Sequence, residues 1–284
     1  MKHSKTKITL GTIAAGVMIA SCPLAQAQTV IFADNYNVAN GNLDPASLSG
    51  RTSGLDSGSV LPQSGGIEQT ISGNQLRLSW PASFQAGEMR FDTIGSPSTL
   101  FDWSTGAGGL AMTSAGGMTI SFLWTAADVT SGNWLYFTAG SSTADISGTH
   151  GLRVLNANTA SGIIFENNGT VQAFNNGSGV VNLANAFATT SVNHAVTLNY
   201  SFNSFAVGAA VTLNAYVDGF SVATNSFTWT QTGQYMDLGS YQENNLVDNF
   251  SVTTLTPIPE PTSMALLGAS GLLVFARRFF QSKA

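Results

Sequence analysis

The stretch HAVTLNYSF, residues 194–202, decides the fold of this chain. Its apolar residues, which share one side of an extended backbone, are Val196, Leu198, Tyr200 and Phe202. Alternation with a period of two residues is typical of a β-strand that buries one face. The segment AVTLNAYV at 210–217 repeats this pattern and is followed by Asp218-Gly219, which suits the positive φ angles of a type I′ turn. These segments predict adjacent antiparallel strands.

The same signals recur between residues 28 and 256. Asn168-Gly169 predicts a second type I′ hairpin, between GIIFEN and TVQAFNN. Further strands are predicted at 29–33, 67–71, 75–80, 88–94, 118–124, 134–140, 151–156, 235–241 and 246–255. About a dozen antiparallel strands are too many for one flat sheet, so we predict an all-β domain of two packed antiparallel sheets over 28–256. A right-handed β-helix is the alternative, but no fixed repeat period is visible.

Charge is distributed unevenly along the 284 residues. Hydrophobic residues make up 43% of the chain, so a sizeable core is available. Four of the 10 basic residues and 14 of the 15 acidic residues lie between residues 28 and 256, which gives this segment a net charge of −10. Such a surface repels nucleic acid and anionic lipid, which disfavours polyanion binding. Neutral glycans, divalent cations and a purely structural role remain open.

The first 27 residues have the parts of a secretory signal peptide. Its basic residues are Lys2, Lys5 and Lys7. An apolar run at 8–20 predicts the signal helix, and Ala25 and Ala27 are the small residues that signal peptidase reads. The alternative is lipoprotein processing at Cys22, because Ile19-Ala20-Ser21-Cys22 resembles a bacterial lipobox. Cys22 is the only cysteine, so cleavage after Ala27 leaves a chain without disulfides or cysteine-ligated metal.

The tail at 257–284 combines a proline motif, an apolar run and a basic end. The motif consists of Pro259, Glu260 and Pro261. The 14 uncharged residues at 263–276 would form a helix of about 21 Å, against a hydrocarbon core of about 30 Å. The basic tail at 277–284 begins with Arg277 and Arg278, which can snorkel and should stay cytoplasmic. We therefore predict a single transmembrane helix that holds the protein in the membrane before processing.

These three parts, in this order over Pro259 to Ala284, resemble the PEP-CTERM sorting signal. The resemblance implies that an exosortase-type membrane enzyme recognises the tail and cuts near Pro-Glu-Pro. It also implies an exported protein of Gram-negative bacteria that make extracellular polysaccharide. An ordinary tail anchor is the alternative.

The middle of the chain resembles the concanavalin-like, laminin-G-like jelly roll. The segments that carry this resemblance are VIFADNY, ISGNQLRLSW, AVTLNYSF, VTLNAYVDG and LVDNFSVT. Glycoside hydrolases of this fold usually carry Glu-x-Asp-x-x-Glu on one strand, and no such run is present. Glu243 and Asp248 are the nearest approach, and Glu68, Glu88 and Glu166 are isolated in sequence. The catalytic pair of carboxylates that glycoside hydrolysis needs is therefore not predicted.

Two histidines remain after signal cleavage, His150 and His194. His194 opens an alternating strand, where we predict a hydrogen-bonding role at the strand end. Two histidines and no cysteine are too few ligands for a zinc site unless carboxylates complete it. No Gly-x-Ser-x-Gly nucleophile elbow, Walker-type loop or dinucleotide fingerprint is present.

Asp34 and Asp248 are the candidate metal ligands. By strand alternation Asp34 falls on the side of Phe32, and Asp248 falls on the side of Phe250. A carboxylate on an apolar face is costly unless it is paired, hydrogen-bonded or bound to a metal. With only four arginines in the domain, backbone N–H groups or Ca²⁺ are the expected partners. The two interpretations are strand-end caps and a structural calcium site that joins the first strand to the last.

Tryptophans are the candidate glycan contacts. Trp124 lies with Ile120 and Phe122 and is predicted to be in the core. Trp134 is in a strand that is apolar on both sides, which predicts a central, buried strand. The glycine-rich stretch FDWSTGAGG is predicted to be a loop, and its Trp103 is the best candidate for an exposed ring.

Together these features predict a non-enzymatic protein without a cofactor, displayed at the cell surface or in the extracellular matrix. It would be anchored transiently in the inner membrane, processed by an exosortase and associated with exopolysaccharide. The alternatives are a glycan-binding module and a polysaccharide-active enzyme on the same fold.

Overall fold

The computed structural model describes residues 28–255, except 45, 66–67, 80–85, 130–132, 144–152, 190–191 and 242–244. All described residues lie in one compact unit, Ala27–Pro257. Several predictions lie outside the described residues: the signal peptide with Cys22, Ala25 and Ala27, the tail with Pro259, Glu260, Pro261, Arg277 and Arg278, and Trp80, His150 and Glu243. Within the described part of the chain, no helix is long and apolar enough to cross a membrane.

One sheet has ten strands. They are β1 (Val30–Asp34), β2 (Gly41–Asn42), β3 (Thr52–Ser53), β5 (Thr70–Ser72), β6 (Gln75–Leu78), β9 (Gly117–Thr125), β14 (Asn193–Ser201), β15 (Ala210–Val217), β16 (Phe220–Thr228) and β18 (Asn245–Thr254). Their order is β16-β15-β14-β9-β18-β6-β5-β2, and β1 pairs with both β18 and β3. The first strand of the domain, β1, therefore lies beside the last, β18. One of the two interpretations of Asp34 and Asp248 placed a calcium site at this junction of the first and last strands.

The other sheet has eight strands. They are β4 (Val60–Ser64), β7 (Ala86–Thr93), β8 (Ser96–Leu100), β10 (Trp134–Ser141), β11 (Ser161–Glu166), β12 (Val171–Asn175), β13 (Ser178–Leu183) and β17 (Tyr235–Tyr241). Their order is β13-β12-β11-β10-β17-β7-β4, with β8 paired to β7. The pairings described in both sheets are antiparallel, so the predicted all-β, two-sheet antiparallel sandwich is confirmed and the β-helix alternative is wrong.

The core lies between the two sheets and is rich in aromatic rings. Phe250 of β18 meets Phe91 of β7 with ring centroids 5.3 Å apart and Phe137 of β10 at 6.5 Å. Trp124 of β9 meets Phe165 of β11 at 6.2 Å and is fully buried, as predicted. The alternating apolar positions of each strand thus supply one continuous cluster.

Two sequence predictions of local structure are wrong. The stretch FDWSTGAGG was expected to be a loop, but Gly106–Ser114 form helix α1. Its glycines Gly108 and Gly109 are buried, and a Cβ at Gly108 would collide with the side chains of Asp56 and Ile31. Close packing therefore outweighs the poor helix propensity of glycine. The strand expected at 151–156 is instead a 3-10 turn at Arg153–Leu155, in which Val154 packs on Gly162 of β11.

The two predicted hairpins are present, but only one has the predicted turn. Asp218 and Gly219 have φ angles of 54° and 81°, as a type I′ turn requires. At the other hairpin Gly169 has a φ of 88°, whereas Asn168 stays at negative φ. The N–H of Gly169 donates to the carbonyl oxygen of Glu166 at 2.9 Å, which is the three-residue turn type that ends in a left-handed glycine.

Candidate functional site

Asp34 is buried beside a cation, and that cation is Arg51. Asp34 is 1% exposed and Arg51 2%. The Nε of Arg51 donates to both carboxylate oxygens at 2.8 Å, and Nη2 lies 2.6 Å from Oδ2. The backbone N–H of Tyr36 adds a hydrogen bond at 2.9 Å. A guanidinium 17 positions along the chain therefore fills the role that one of the two interpretations assigned to calcium, and the expectation that only backbone N–H groups or Ca²⁺ would be the partners of Asp34 is wrong.

Asp248 lies near this pair but on the other side of its strand. Asn249 has a φ of 51°, and the register with β9 shifts between Asp248 and Ser251. This β-bulge adds one residue, so Phe250 and Val252 point into the core while Asp248 is half-buried on the outward side. The alternation that placed Asp248 with Phe250 is wrong for that reason. Within the described residues, no three His, Cys, Asp or Glu side chains form a cluster that could hold a metal ion.

Several groups raise or lower the pKa of the Asp34 carboxyl. Burial raises this pKa above its usual value, and it is the largest effect. The hydrogen bonds and charge of Arg51, together with the N–H of Tyr36, lower it, and the charge of Asp248 raises it slightly. The net direction is upward, so burial outweighs the arginine.

Trp103 is not available to a ligand. Its exposed fraction is 0%, which corrects the prediction of an exposed ring. The ring meets Phe91 and Phe101 edge to face, with centroids 5.2 Å and 5.1 Å away. Its backbone N–H donates to the carbonyl of Gln234 at 3.0 Å. The glycine-rich stretch around it folds onto the core, so Trp103 is a core residue.

His194 makes the strand-end hydrogen bond that the sequence predicted. Its Nδ1 lies 2.8 Å from Oδ2 of Asp218, whose other oxygen accepts from the N–H of Ala195 at 2.8 Å. The imidazole ring packs between Trp124 and Phe187, with centroids 5.2 Å and 4.8 Å away. The pair ties the start of β14 to the turn between β15 and β16.

The outward side of the eight-stranded sheet carries aromatic rings. In register across three strands lie Tyr241 of β17, Trp134 of β10 and Glu166 of β11, and all three are half-buried. The rings of Trp134 and Tyr241 are 4.9 Å apart at 35°. The Glu166 carboxylate accepts hydrogen bonds from the amides of Asn168 and Gln172, each at 3.1 Å. We call Tyr241, Trp134 and Glu166 the aromatic row.

A depression at β12 and β13 is next to the aromatic row. Its volume is about 350 Å³, and it is lined by Gln172, Phe174, Gly179, Val180, Val181 and Asn182. Gln172 links it to the row through its hydrogen bond to Glu166. This volume is within the range of small-molecule sites, which combine apolar walls with a few polar groups.

Three carboxylates on the same side of this sheet are fully buried. Glu88 and Asp92 lie on β7 and Asp237 lies on β17, and each is 0% exposed. Asp92 contacts Nε of Arg90 at 3.0 Å and accepts from the N–H of Ser98 at 2.8 Å. Asp237 accepts a hydrogen bond from the hydroxyl of Thr138. Asp92 and Asp237 thus have polar partners on their own sheet, and none of the three carboxylates is exposed at the surface.

The tail begins just after Leu255, the last described residue, and its sequence identifies it. The model of the PEP-CTERM protein-sorting motif matches residues 257–278, which include Pro259, Glu260, Pro261 and both tail arginines. The chain carries a PEP-CTERM sorting motif. The PEP-CTERM motif indicates an exported, envelope-associated protein and implies processing by an exosortase. The resemblance predicted from the tail is thereby confirmed.

Comparison of the PEP-CTERM chain with curated proteins finds no match. Solved structures with similar folds include a sialidase, with 11% identity and a TM-score of 0.41 over 78% of this chain and 19% of that one. A second is the metal-free Emp46p carbohydrate recognition domain, with 9% identity and a TM-score of 0.44 over 68% of this chain and 87% of that one. A third is a Bacillus licheniformis β-glucanase, with 12% identity and a TM-score of 0.42 over 81% of this chain and 100% of that one. This chain spans 19% of the sialidase's length. At such identities the likeness concerns the fold alone.

Sequence reasoning missed the aromatic row and the buried carboxylates. Glu88 and Glu166 were judged isolated because the strand neighbours that place them, Gly239 beside Glu88 and Trp134 beside Glu166, are distant in sequence. One signal was available: Glu88, Arg90 and Asp92 alternate in GEMRFD, which places three charges on one side of a strand. No local pattern joins Trp134 to Tyr241, because strand order alone makes them neighbours.

Proposed function

We propose that this protein is a non-enzymatic component of the cell surface or extracellular matrix that binds extracellular polysaccharide through the aromatic row. The sorting motif supports export and processing of the tail. Residues 28–256 are then the part that is displayed. The identity of the ligand class is inferred from the described residues of the eight-stranded sheet.

The observation that carries this proposal is a contrast in exposure on one side of that sheet. Glu88, Asp92 and Asp237 are 0% exposed, whereas Trp134 and Tyr241 are half-buried and present ring surface. A glycoside hydrolase needs two carboxylates flanking the scissile bond, about 5–9.5 Å apart and in contact with the sugar. Aromatic rings beside a polar acceptor are sufficient to hold a sugar without cleaving it, since the ring packs on apolar sugar faces and Glu166 accepts hydroxyl protons.

The charge of the domain favours an uncharged ligand. Residues 28–256 have a net charge of −10, and Glu166 is part of the row itself. A glycan that carries carboxylates or sulfates would be repelled, and the repulsion would be strongest at low ionic strength. A neutral glycan avoids this cost.

The test is glycan-array binding by residues 28–256, followed by affinity measurements on a neutral oligosaccharide that binds. Trp134→Ala should weaken binding tenfold or more. Phe220→Ala is the matched control, because Phe220 is an exposed aromatic residue at the start of β16, on the opposite sheet. Melting temperatures of both variants show whether the fold is intact.

Two results would overturn the proposal. One is the absence of any neutral glycan among the ligands, or binding that Trp134→Ala leaves unchanged. The other is release of reducing ends from a bound polysaccharide, with loss of that activity in Glu88→Gln. The second result would identify the domain as an enzyme whose buried carboxylates become accessible.

A further inference from the structure

The outward side of the ten-stranded sheet carries short polar side chains in rows. One row crosses five strands in register: Thr253, Thr119, Asn199, Asn214 and Thr224. A second row contains Ser251, Ser121, Thr197 and Tyr216, and a third contains Ser201, Thr212 and Ser226. All of these residues are half-buried or exposed, while the residues between them in each strand are buried. We call these three rows the polar grid.

Hydrogen bonds between neighbouring strands fix the orientation of the grid. The hydroxyl of Thr119 donates to Oδ1 of Asn199 at 2.9 Å, and that of Thr224 donates to Oδ1 of Asn214 at 3.0 Å. The hydroxyls of Ser121 and Ser251 are 2.8 Å apart. Side chains that are already ordered lose little entropy when a ligand binds. The hydrogen-bonded side chains of the grid therefore lose little entropy when they bind a ligand.

None of the 12 grid residues is charged, and eight of them lie in the part of the chain with the fewest charges. Residues 167–236 contain one charged side chain, Asp218. A typical protein has about 25% charged residues, which would give about 17 in a segment of this length. Surface charges keep proteins apart in solution, so the uncharged grid, whose nearest charge on β18 is Asp248, suits a partner that is also uncharged.

The chemistry of the side chains distinguishes between uncharged partners. Interfaces between protein chains are enriched in aromatic residues and depleted in serine, whereas the 12 residues of the grid include four serines and one aromatic residue, Tyr216. Hydroxyl and amide groups both donate and accept hydrogen bonds, as do the hydroxyls of a sugar. The spacing is regular in two directions, about 4.8 Å between strands and about 6.7 Å between rows, so the longest row extends over about 19 Å. A ligand with repeating hydroxyls in two directions matches this pattern.

We propose that the polar grid binds the surface of an ordered, uncharged polysaccharide in which chains lie side by side. The inference rests on the proposed association with extracellular polysaccharide, and it adds a second contact on the sheet opposite the aromatic row. The aromatic row binds a single glycan chain, whereas the polar grid binds a surface that is formed by many chains. The two contacts together would hold the domain between chains of the matrix.

The test is co-sedimentation of the full-length chain, in a mild detergent, with microcrystalline cellulose as an insoluble neutral β-glucan. Thr197→Arg places a long charged side chain on the middle strand of the grid and should reduce the bound fraction at least tenfold. Thr212→Val with Thr224→Val keeps the shape and removes two hydroxyls, and it should also weaken binding. Ser178→Arg, at an exposed position of β13 outside the grid, is the matched control and should bind like the wild type.

The outcomes separate this inference from the proposed function. If the wild type does not sediment with cellulose, or Thr197→Arg binds as well as Ser178→Arg, the inference is wrong. If Trp134→Ala abolishes sedimentation while Thr197→Arg does not, binding belongs to the aromatic row alone and only the grid is excluded. A wild-type dimer in analytical ultracentrifugation that Thr197→Arg converts to a monomer would assign the grid to a second copy and overturn the inference.

Discussion

Arg51 forms a buried ion pair with Asp34 and so occupies the carboxylate that another cation could bind. Both side chains are 0% exposed, so neither charge is solvated by water. Arg51 also lies over the ring of Tyr36, with its guanidinium carbon 5.4 Å from the centroid. Attraction in a buried pair offsets the cost of desolvation only while both partners are present. The pair therefore locks β1 to the loop before β3.

Removing the arginine tests this dependence through pH. Arg51→Met should lower the free energy of unfolding by about 3–5 kcal/mol at pH 7, because it leaves an uncompensated buried carboxylate. The Asp34 pKa is already raised by burial, and loss of Arg51 raises it further. The pKa of Asp34 is higher in the folded protein than its value of 3.8 in the unfolded chain, so protonation of this carboxyl favours folding. The stability that protonation contributes is fully present below pH 3.8 and is lost as the pH increases through the pKa of the folded state. Denaturant melts should therefore show a smaller defect at pH 4 than at pH 7, and an equal defect at both would contradict this account.

Calcium should have no effect on the domain. Because Arg51 already neutralises Asp34, we expect the melting temperature of residues 28–256 to be the same in calcium and in chelator. The Asp248→Asn variant should behave in the same way and serves as the comparison. A calcium-dependent rise in the wild type that is absent from Asp248→Asn would restore the metal site.

At the scale of elements, β18 depends on one residue in an unusual conformation. Its first part, through Val247, pairs with β6, and from Phe250 onward it pairs with β1. The bulge at Asn249 lies at the change of partner, with a φ of 51°. Asparagine tolerates the left-handed region better than most residues, whereas a β-branched side chain does not. The bulge shifts the alternation of β18 by one residue, so that Val247 before it and Phe250 after it both face the core.

Substitutions at Asn249 should separate backbone strain from side-chain contacts. Asn249→Val should destabilise the domain by about 1–2 kcal/mol, because a β-branched residue is disfavoured at positive φ. Asn249→Gly should be close to neutral, since glycine adopts this conformation readily. Chemical denaturation of the two variants beside the wild type measures the difference. Equal losses in both would show that the exposed amide itself, and not the backbone, determines stability here.

At the scale of the whole molecule, the two sheets differ in what they present. The outward side of the eight-stranded sheet combines buried carboxylates with the half-buried aromatic row, whereas the polar grid has no charge. The acidic groups that give residues 28–256 a charge of −10 are concentrated before residue 167. Beyond the domain, the sorting motif at residues 257–278 implies processing by an exosortase.

The role of the tail can be tested by changing its motif. Replacing Pro259, Glu260 and Pro261 with alanines should leave the protein uncleaved in the membrane fraction, because the recognised segment is lost. Immunoblots of membrane and secreted fractions measure this. Gln281→Ala, in the same tail but outside the matched residues, should be processed normally. Normal release of the triple variant would reject a sorting role for the motif.

The sequence by itself determined the fold class and the sorting signal. Alternation in HAVTLNYSF and its neighbours predicts strands because burial of one face repeats every two residues, and the tail motif is contiguous. Only the tertiary structure decided which distant side chains contact each other. Arg51 meets Asp34, Trp134 meets Tyr241 and helix α1 covers Asp56 because strand order and packing bring distant residues together. The bulge at Asn249 reverses which side Asp248 faces, and no local pattern marks one inserted residue in an alternating strand. Contacts of this kind depend on the energy of the assembled sandwich, which no short segment contains.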